Sequence, residues 1–300
     1  MKRILFLLSL IIFTQSIFAK NSALLIGIGN YNTEDTGWNR IHGNNDVDLL
    51  EGKLKDNGFT VMTIKDDKAT KKNIEDALKK LVSSTNAGDN VYLHFSGHGQ
   101  LIEDMNNDEQ DELDQSFVCY DACFSPQYKM GGQSYKGQNH LIDDELFPYL
   151  NQLKTKVGSS GLVTVVFDSC YSGGADRGEL NDDADPDSEV EWVDTTRGAF
   201  DEFQVNKSAA SYLRSIKTPG NYKAGGGIVL VLSACESDKK NYECKEKHTG
   251  KFYGSLSYCI SKLIDNNIPM NQWEDYFANK KYKELKIFRT TQRPVVESHK

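Results

Sequence analysis

Almost continuous apolar runs, separated by helix-like segments, constrain the fold of this chain most strongly. Residues 22–29, 161–168 and 227–233 lack the polar alternation of a strand that has one face in water. Buried strands joined by helices predict an α/β protein whose mostly parallel sheet carries helices on both faces. Further strands are predicted at 59–64, 91–96 and 116–120, and helices at 45–57, 70–83, 143–153 and 253–264.

The first nineteen residues differ in character from the rest of the chain. Lys2 and Arg3 precede an apolar run over residues 4–13, and Ala19 offers a small residue for cleavage. This layout is typical of a secretory signal peptide, and the run is shorter than the ~20 residues that span a bilayer. We therefore expect residues 1–19 to direct export to a secreted or periplasmic location, without stable membrane insertion.

Charge and size limit the classes of partner. The chain has 43 acidic and 35 basic residues, a net charge of −8, which disfavours nucleic acid and suits cationic peptides or divalent metal ions. Its 38% hydrophobic content suffices for one substantial core. Residues 20–300 are therefore predicted to form a single domain, and we expect a monomer.

Two acidic, turn-rich stretches interrupt the alternation of strands and helices. Residues 100–128 carry eight acidic side chains and no Lys or Arg. Residues 176–202 carry eleven acidic side chains against two Arg. This composition predicts surface insertions outside the core.

A histidine and a cysteine each follow a predicted strand and lie among glycines. His98 lies in the sequence HFSGHG, and Cys170 lies in VVFDSCYSGG. Because the carboxyl ends of parallel strands meet at one edge of a sheet, we expect the two side chains to lie together. A histidine within hydrogen-bond reach converts a thiol into a nucleophile. Either residue alone would be assigned to the core.

The motifs S-G-H-G and D-S-C-x-S-G, in that order, resemble those of the metacaspase branch of the caspase-like cysteine peptidases. The segments ALLIGIGNY and HGNNDVDLLEGKLKDNGF are also similar to that branch. The resemblance covers residues 22–175 as a large-subunit-like part and 226–296, more loosely, as a small-subunit-like part. Residues 176–225 then form an acidic insertion or linker. The resemblance implies a three-layer caspase-like fold and a cysteine endopeptidase with His98 and Cys170 as its catalytic dyad.

The same resemblance implies a specificity pocket and an oxyanion site. Asp46, Ser96 and Asp168 match the pocket residues, and two carboxylates in a small cleft favour cleavage after Arg or Lys. Amides near Gly99 and Cys170 would bind the oxyanion. A competing interpretation has Asp168 closing its strand and capping the next turn. A catalytically silent binding domain and a peptidase with another preference also stay open.

Calcium stimulation is implied as well, through a cluster of surface carboxylates. Asp143 and Asp144 match an adjacent acidic pair of that site, and Asp111 and Asp114 fall in the matching acidic loop. Calcium prefers several oxygen ligands at once. The alternative for Asp143 and Asp144 is favourable charge at the N-terminus of a helix.

The cysteines leave their pairing open. Cys119/Cys123 and Cys235/Cys244 are the near pairs of an exported chain, but spacing establishes neither bridge. For Cys235 we predict a core or disulfide role rather than a catalytic one.

Basic residues within the predicted linker make cleavage there conceivable, by this chain itself or in trans. No single site is favoured among Arg177, Arg197, Lys207, Arg214 and Lys217.

Overall fold

A six-stranded sheet lies at the centre of the molecule. The computed structural model describes residues 19–104, 113–130, 132–171, 185–199, 222, 225–236 and 239–300. The strands are β1 (Asn21–Gly27), β2 (Phe59–Lys65), β3 (Asn90–Ser96), β4 (Gly99–Glu103), β5 (Leu113–Val118), β6 (Lys129–Met130), β7 (Gln133–Ser134), β8 (His140–Ile142), β9 (Leu162–Asp168), β10 (Val190–Thr196), β11 (Ile228–Ser233), β12 (Tyr242–Glu246), β13 (Phe252–Gly254) and β14 (Val295–His299). The helices are α1 (Thr33–Thr36), α2 (Gly43–Asp56), α3 (Lys71–Ser84), α4 (Asp143–Val157), α5 (Ser255–Asp265) and α6 (Trp273–Ala278).

The central sheet has the strand order β14-β11-β9-β3-β1-β2. Neighbouring strands run parallel, except that β14 pairs antiparallel with β11 at one edge. Gly27 of β1 is opposite Ser96 of β3, and Ser96 is opposite Asp168 of β9. This register brings the carboxyl ends of three central strands side by side, where parallel sheets place their ligand sites.

Helices cover both faces of the sheet, and successive strand residues alternate between the two layers. On β1, Leu24 and Ile26 belong to the cluster that contains the apolar residues of α3 and α4. Ala23 and Leu25 belong to the cluster that contains those of α2, α5 and α6. The alternation follows from the two-residue period of a strand, and each buried Leu or Ile contributes on the order of 2 kcal/mol. The predicted three-layer α/β fold with a mostly parallel sheet is confirmed.

Helix α3 shows how local sequence sets an element. Thr70 precedes the helix, and its side chain accepts a hydrogen bond from the Asn73 amide at 3.3 Å. Ile74, Leu78 and Leu81 then repeat at helical spacing and are buried against the sheet. The observed bounds differ by one residue from those predicted at each end.

Both acidic stretches contain folded strands, so the prediction that they are surface insertions is wrong for these parts. Strands β4, β5 and β8 form a three-stranded sheet, and Phe117 on β5 is buried in the core. Strand β10 pairs with β12, and Arg197 directly after it is fully buried. In the second stretch, the physical reason is that Arg197 and Asp194 meet oppositely charged partners far away in the chain, which composition does not reveal.

Several predicted features fall outside the described residues. They include the signal peptide up to residue 18 and the basic linker residues Arg177, Lys207, Arg214 and Lys217. From residue 19 onward, none of the described helices combines the length and the apolar character needed to cross a bilayer. All six cysteines are buried, and none forms a disulfide among the described residues, so neither near pair is bridged. Cys235 is a buried side chain.

Candidate active site

His98 and Cys170 lie at the carboxyl edge of the central sheet. Each follows its strand by two residues, after Ser96 on β3 and after Asp168 on β9. These two strands are neighbours, and the Gly97 amide donates to the Asp168 carbonyl at 3.4 Å. The two loops therefore leave the sheet next to each other, as predicted from the positions of the motifs.

The His98 imidazole is buried and directs one nitrogen at a backbone carbonyl. Its Nε2 lies 2.9 Å from the Asn39 carbonyl oxygen, which can only accept, so we assign the proton to Nε2. The ring stacks on Trp38 at a centroid distance of 4.8 Å. Nδ1 has no hydrogen-bond partner among the described residues. Burial lowers the pKa of His98 to about 4, so at pH 7 the ring is neutral and Nδ1 keeps its lone pair.

The Cys170 thiol donates to the Lys239 carbonyl oxygen at 2.8 Å. The same oxygen accepts a longer bond, of 3.2 Å, from the Cys235 thiol. Since the Nδ1 atom of His98 has no described partner, nucleophile and base are not directly hydrogen-bonded in this arrangement. Proton transfer between them requires Sγ to leave the Lys239 carbonyl.

Asp46, Ser96 and Asp168 surround the guanidinium of Arg197, and all four side chains are fully buried. Arg197 Nη1 lies 2.7 Å from Asp46 Oδ2 and 2.5 Å from Ser96 Oγ. The same nitrogen lies 3.5 Å from Asp168 Oδ1. A third carboxylate completes the cluster, because Glu243 Oε1 accepts from Arg197 Nη2 at 2.8 Å and from Nε at 3.2 Å. The three residues predicted to form a pocket are thus together, and a basic side chain of this chain fills the space between them.

The cluster holds three carboxylates and one guanidinium away from water. Burial raises the pKa of Asp46 to about 6, although Arg197 acts in the opposite direction. Burial also acts to raise the pKa of Glu243, but Arg197 and His42 outweigh it and lower that pKa to about 2. Burial disfavours the charge on Arg197, yet the carboxylates keep its pKa above the ordinary value. The surroundings therefore stabilise a cation.

Asp168 serves the pocket and a helix end at the same time. Its Oδ2 accepts hydrogen bonds from the Ser257 amide at 2.7 Å and from the Ser257 hydroxyl at 2.6 Å. Its Oδ1 accepts from Asn241 Nδ2 at 2.7 Å. Asp168 thus lies beside the Arg197 guanidinium and also caps a helix, while its role in substrate specificity stays a prediction. The amide that it caps lies in the first turn of α5, not in the turn that follows β9.

The main chain of Arg197 is hydrogen-bonded as well as its side chain. Its carbonyl oxygen accepts from the Gly99 amide at 3.0 Å and from the Cys170 amide at 3.2 Å. These are the two amides predicted at the oxyanion position. The peptide bond between Arg197 and Gly198 therefore lies beside Cys170, with its oxygen between them.

The predicted calcium ligands are only partly described. Strand β5 pairs with β8, which leads directly into α4, so the backbone brings Asp114 toward Asp143 and Asp144 at the helix start. Asp111 lies outside the described residues. Over the described ranges, no three or more His, Cys, Asp or Glu side chains are arranged to hold a metal ion. Because Asp111 lies outside those ranges, calcium binding stays a prediction, whereas Asp143 and Asp144 do supply first-turn charge to α4.

Sequence reasoning missed Glu243, Gly254 and the position of Arg197 in the pocket. In the segment YECKE, nothing local separates Glu243 from an exposed carboxylate. Gly254 is required by close approach, since a Cβ there would lie 2.1 Å from Asp168 Oδ2. One signal was available for Arg197. It is one of only two basic residues among eleven acidic ones in residues 176–202, so it stands out as a cation in need of a partner.

Comparison with known proteins places the chain in a family. The family model described as Caspase domain (Peptidase_C14) matches residues 20–300. The chain is 30% identical to metacaspase-1B of Aspergillus fumigatus, over 59% of this chain and 37% of that protein. It is 33% identical to metacaspase-1 of Schizosaccharomyces pombe, over 52% of this chain and 35% of that protein. It is 26% identical to metacaspase-1 of Candida albicans, over 83% of this chain and 58% of that protein. The chain thus spans little more than a third of the first two relatives.

A solved structure gives an independent comparison of the fold. A protein from Geobacter sulfurreducens, 19% identical in sequence, matches with a TM-score of 0.64 over 93% of each chain. At this level of identity the likeness concerns the fold alone. Taken together with the family match over residues 20–300, it leads to one conclusion: the chain belongs to the caspase domain family.

Proposed function

We propose that this chain is a cysteine endopeptidase that cleaves after Arg or Lys, with Cys170 as nucleophile and His98 as proton-transfer partner. The observation that carries the proposal is the placement of Arg197, whose guanidinium fills the acidic pocket while its carbonyl oxygen lies between the Gly99 and Cys170 amides. A residue so held has its peptide carbon next to the nucleophile. Membership of the caspase domain family supports the peptidase class.

The groups around Cys170 support a covalent route. Once Sγ leaves the Lys239 carbonyl, Nδ1 of His98 can take the thiol proton, and the thiolate attacks the carbonyl carbon of the substrate. The Gly99 and Cys170 amides then stabilise the negative oxygen. His98 returns the proton to the departing amine, and water releases the acyl group from the sulfur.

The charge of the pocket supports a basic residue before the cleaved bond. With three buried carboxylates, an Asp side chain would meet only repulsion, and an Asn amide would leave the charges uncompensated. A guanidinium offers a planar fork of donors, so that Arg197 reaches Asp46 through Nη1 and Glu243 through Nη2 and Nε. The single ammonium of Lys cannot make these three contacts together. We therefore expect Arg to be preferred to Lys.

Matched fluorogenic peptides that end in Arg, Lys, Asn or Asp test this function. The full chain and its Cys170→Ala variant are incubated with each peptide, and kcat/KM is measured. Turnover of the Arg and Lys peptides, reduced by several powers of ten in the variant, is the expected result. Faster cleavage after Asn or Asp would contradict the pocket argument. Unchanged turnover in Cys170→Ala would exclude the proposed nucleophile.

Calcium stimulation is a separate part of the proposal. It is supported by the resemblance in Asp143 and Asp144 and by the approach of Asp114 to the same helix start. Calorimetry with calcium alone, on the Cys170→Ala chain and on a version that also carries Asp144→Asn, measures binding without relying on activity. Loss of calcium binding in the double variant is expected. Equal binding would exclude this pair as ligands.

Export, a protein substrate and a monomeric state complete the proposal. Residues 1–19 support export, and the peptidase family supports protein substrates. Cell fractionation with N-terminal sequencing should place the mature N-terminus at Lys20 outside the cytoplasm. Light scattering on the purified chain should give the mass of one copy.

A further inference from the structure

We propose that the Arg197–Gly198 peptide bond is a self-cleavage site, and that the uncut segment keeps other substrates out of the pocket. The inference rests on the proposed function, because the same nucleophile and the same pocket make the cut. It selects the bond after one of the basic residues of the linker, and it assigns a blocked state to the intact chain.

The segment before the bond is bound as a strand added to a sheet edge. Strand β10 pairs antiparallel with β12, and Trp192 is opposite Cys244. At the end of this pairing, the Arg197 amide donates to the Asn241 carbonyl at 3.1 Å. Extended peptides are recognised in this way by main-chain hydrogen bonds, while pockets select alternate side chains. The pocket for Arg197 is the acidic cluster.

The segment after the bond is anchored as well. Gly198 forms an isolated parallel bridge with Gly99, and the Ala199 amide donates to the Gly99 carbonyl at 3.2 Å. The Ala199 side chain is buried in the core. Anchors on both sides fix the bond that joins Arg197 to Gly198, which is what a bound substrate requires before attack.

The same contacts exclude an external substrate. The Arg197 side chain is 0% exposed, so no second basic side chain can enter while it stays. A segment tethered to its own pocket competes at an effective concentration of about millimolar or higher. Withdrawing it would also take the guanidinium away from three buried carboxylates. The intact chain is therefore expected to bind added Arg peptides poorly.

The cut balances as an ordinary hydrolysis. The Cys170 sulfur forms a bond to the Arg197 carbonyl carbon, the carbon–nitrogen bond to Gly198 breaks, and His98 supplies a proton to the new Gly198 amine. Water then attacks the thioester, leaves a carboxylate on Arg197 and restores the thiol. No co-reactant other than water is consumed.

The structure also provides a way out for the cut end. The pairing of β10 with β12 is irregular between Trp192 and Thr196, so the last residues before Arg197 are joined less regularly than the first. After the cut, Arg197 has lost the anchors that Gly198 and Ala199 supplied through Gly99. Melting of this short irregular end then suffices to open the pocket.

Intact-mass spectrometry of the full chain tests the cut directly. We expect fragments that end at Arg197 and begin at Gly198, formed at a first-order rate that does not depend on chain concentration. Cys170→Ala should remain whole. Arg197→Lys, which keeps a positive charge in the buried cluster, should be cut about tenfold more slowly. Arg177→Gln and Arg214→Gln, matched changes elsewhere in the linker, should be cut like the parent chain.

Active-site labelling tests the blocked state without relying on a variant. A peptidyl arginine chloromethyl ketone alkylates an accessible nucleophile that lies beside a pocket for Arg. The adduct should appear on Cys170 of the cut chain and be absent from the intact chain in the same sample. Equal labelling of both forms would contradict the blocking role of Arg197.

The outcomes separate this inference from the proposed function. Turnover of Arg peptides by a chain that stays whole at 197, without a lag, would overturn the self-cleavage site and leave the peptidase standing. Cleavage at another basic residue of the linker would overturn it as well. If neither the parent chain nor Arg197→Gln cleaves any peptide, while both are folded by circular dichroism, the peptidase itself fails. In that case Arg197 is a structural residue that stays in the pocket of a catalytically inactive domain.

Discussion

Glu243 distinguishes the pocket of this chain from a simple pair of acidic residues. Its Oε1 accepts from both Nη2 and Nε of Arg197, at 2.8 and 3.2 Å, which is a contact that only a guanidinium offers. Its other oxygen lies 2.6 Å from His42 Nδ1, which fixes the carboxylate in place. We therefore expect this residue to favour Arg over Lys rather than basic side chains in general.

Glu243→Gln should reduce the preference for Arg. We expect kcat/KM for an Arg peptide to fall by about 30-fold or more, because a buried charged partner is lost, and kcat/KM for a Lys peptide to fall less. The ratio of the two constants, measured on cut chain, is the readout. Glu191→Gln, at an exposed carboxylate on β10, is the control and should leave the ratio unchanged. Equal losses for both peptides would show that Glu243 acts only through net charge.

Gly254 lines the pocket where a side chain would not fit. A Cβ at this position would lie 2.1 Å from Asp168 Oδ2 and 2.4 Å from Arg197 Nη1. Gly254→Ala should therefore displace the bound guanidinium, slow the cut at Arg197 and raise KM for Arg peptides at least tenfold. The control is Gly52→Ala on α2, where the added Cβ would meet no described atom within 4 Å apart from its chain neighbours and its own helix backbone. That change should leave KM unaltered and stabilise the helix by about 0.5–1 kcal/mol. Normal KM in Gly254→Ala would mean that the pocket relaxes around a methyl group.

At the residue scale, sequence placed the groups that follow strands and missed those that come from elsewhere. His98, Cys170 and Asp168 follow apolar runs, so their meeting is dictated by the parallel sheet. Glu243 and Arg197 reach the same pocket from β12 and from the end of β10, outside that sheet. Only tertiary pairing brings them there. The surrounding composition marks Arg197 as a cation in need of a partner, but no local pattern shows which pocket it enters.

At the scale of elements, the first turn of α5 holds the pocket together. Ser257 donates to Asp168 from both its amide and its hydroxyl, and the hydroxyl also lies 3.1 Å from His94 Nε2. The start of the helix thus orients a carboxylate that faces the Arg197 guanidinium. Loss of the hydroxyl leaves Asp168 with one fewer donor in a site without exposed surface.

Ser257→Ala should weaken both fold and function. We expect a loss of about 1–3 kcal/mol in the free energy of unfolding, from buried groups left without a partner, together with a higher KM for Arg peptides. Urea unfolding and peptide kinetics measure the two effects. Ser261→Ala lies one turn further along the same helix and is also buried, but its hydroxyl bonds the Tyr258 carbonyl within the helix. It should lose stability without the rise in KM, and the same rise in both variants would refute a positioning role for Ser257.

The sequence predicted most closely those strands whose continuous apolar residues match their burial in the sheet. Strands β1, β3, β9 and β11 are apolar runs buried on both faces, and their bounds agree closely with prediction. Strand β14 was not predicted, since Val295–His299 lies at a sheet edge, where half of the residues can stay polar. Strand β10 was hidden by the acidic composition around it.

At the scale of the whole molecule, buried neutral histidines govern stability in acid. Burial lowers the pKa of His94 and His98 to about 4 and that of His140 to about 3. In the unfolded chain the same rings titrate near 6.5, so between pH 6.5 and 4 the unfolded state binds more protons. Stability should therefore fall as the pH drops through this window. Asp46 acts oppositely, because its pKa of about 6 lets the folded state bind a proton first, but it is one group against three.

Urea unfolding of the Cys170→Ala chain at pH 7 and pH 4.5 measures this dependence. A loss on the order of 5 kcal/mol is expected at the lower pH. His94→Gln should reduce the difference in the free energy of unfolding between the two pH values by the contribution of one buried histidine. His248→Gln, at an exposed position, should leave this difference unchanged. A chain equally stable at both values would show that the buried rings take up protons without unfolding.

The fold class was predictable in full because one sheet with two helical layers follows from local periodicity. The blocked pocket was not, because it depends on one arginine that crosses from the acidic linker to three carboxylates of other segments. The sequence contained every participant. No sequence pattern predicted the pairing of β10 with β12, and this pairing determines where the Arg197 side chain lies.

The carboxylate cluster that holds Arg197 has a consequence for proton balance. Because the guanidinium counteracts the effect of burial on Asp46, its departure lets the pKa of that carboxyl rise above about 6. We therefore expect a vacated pocket to take up a proton more readily than the filled one, and an arriving basic side chain to displace that proton. On this basis acidification should weaken the binding of basic substrates.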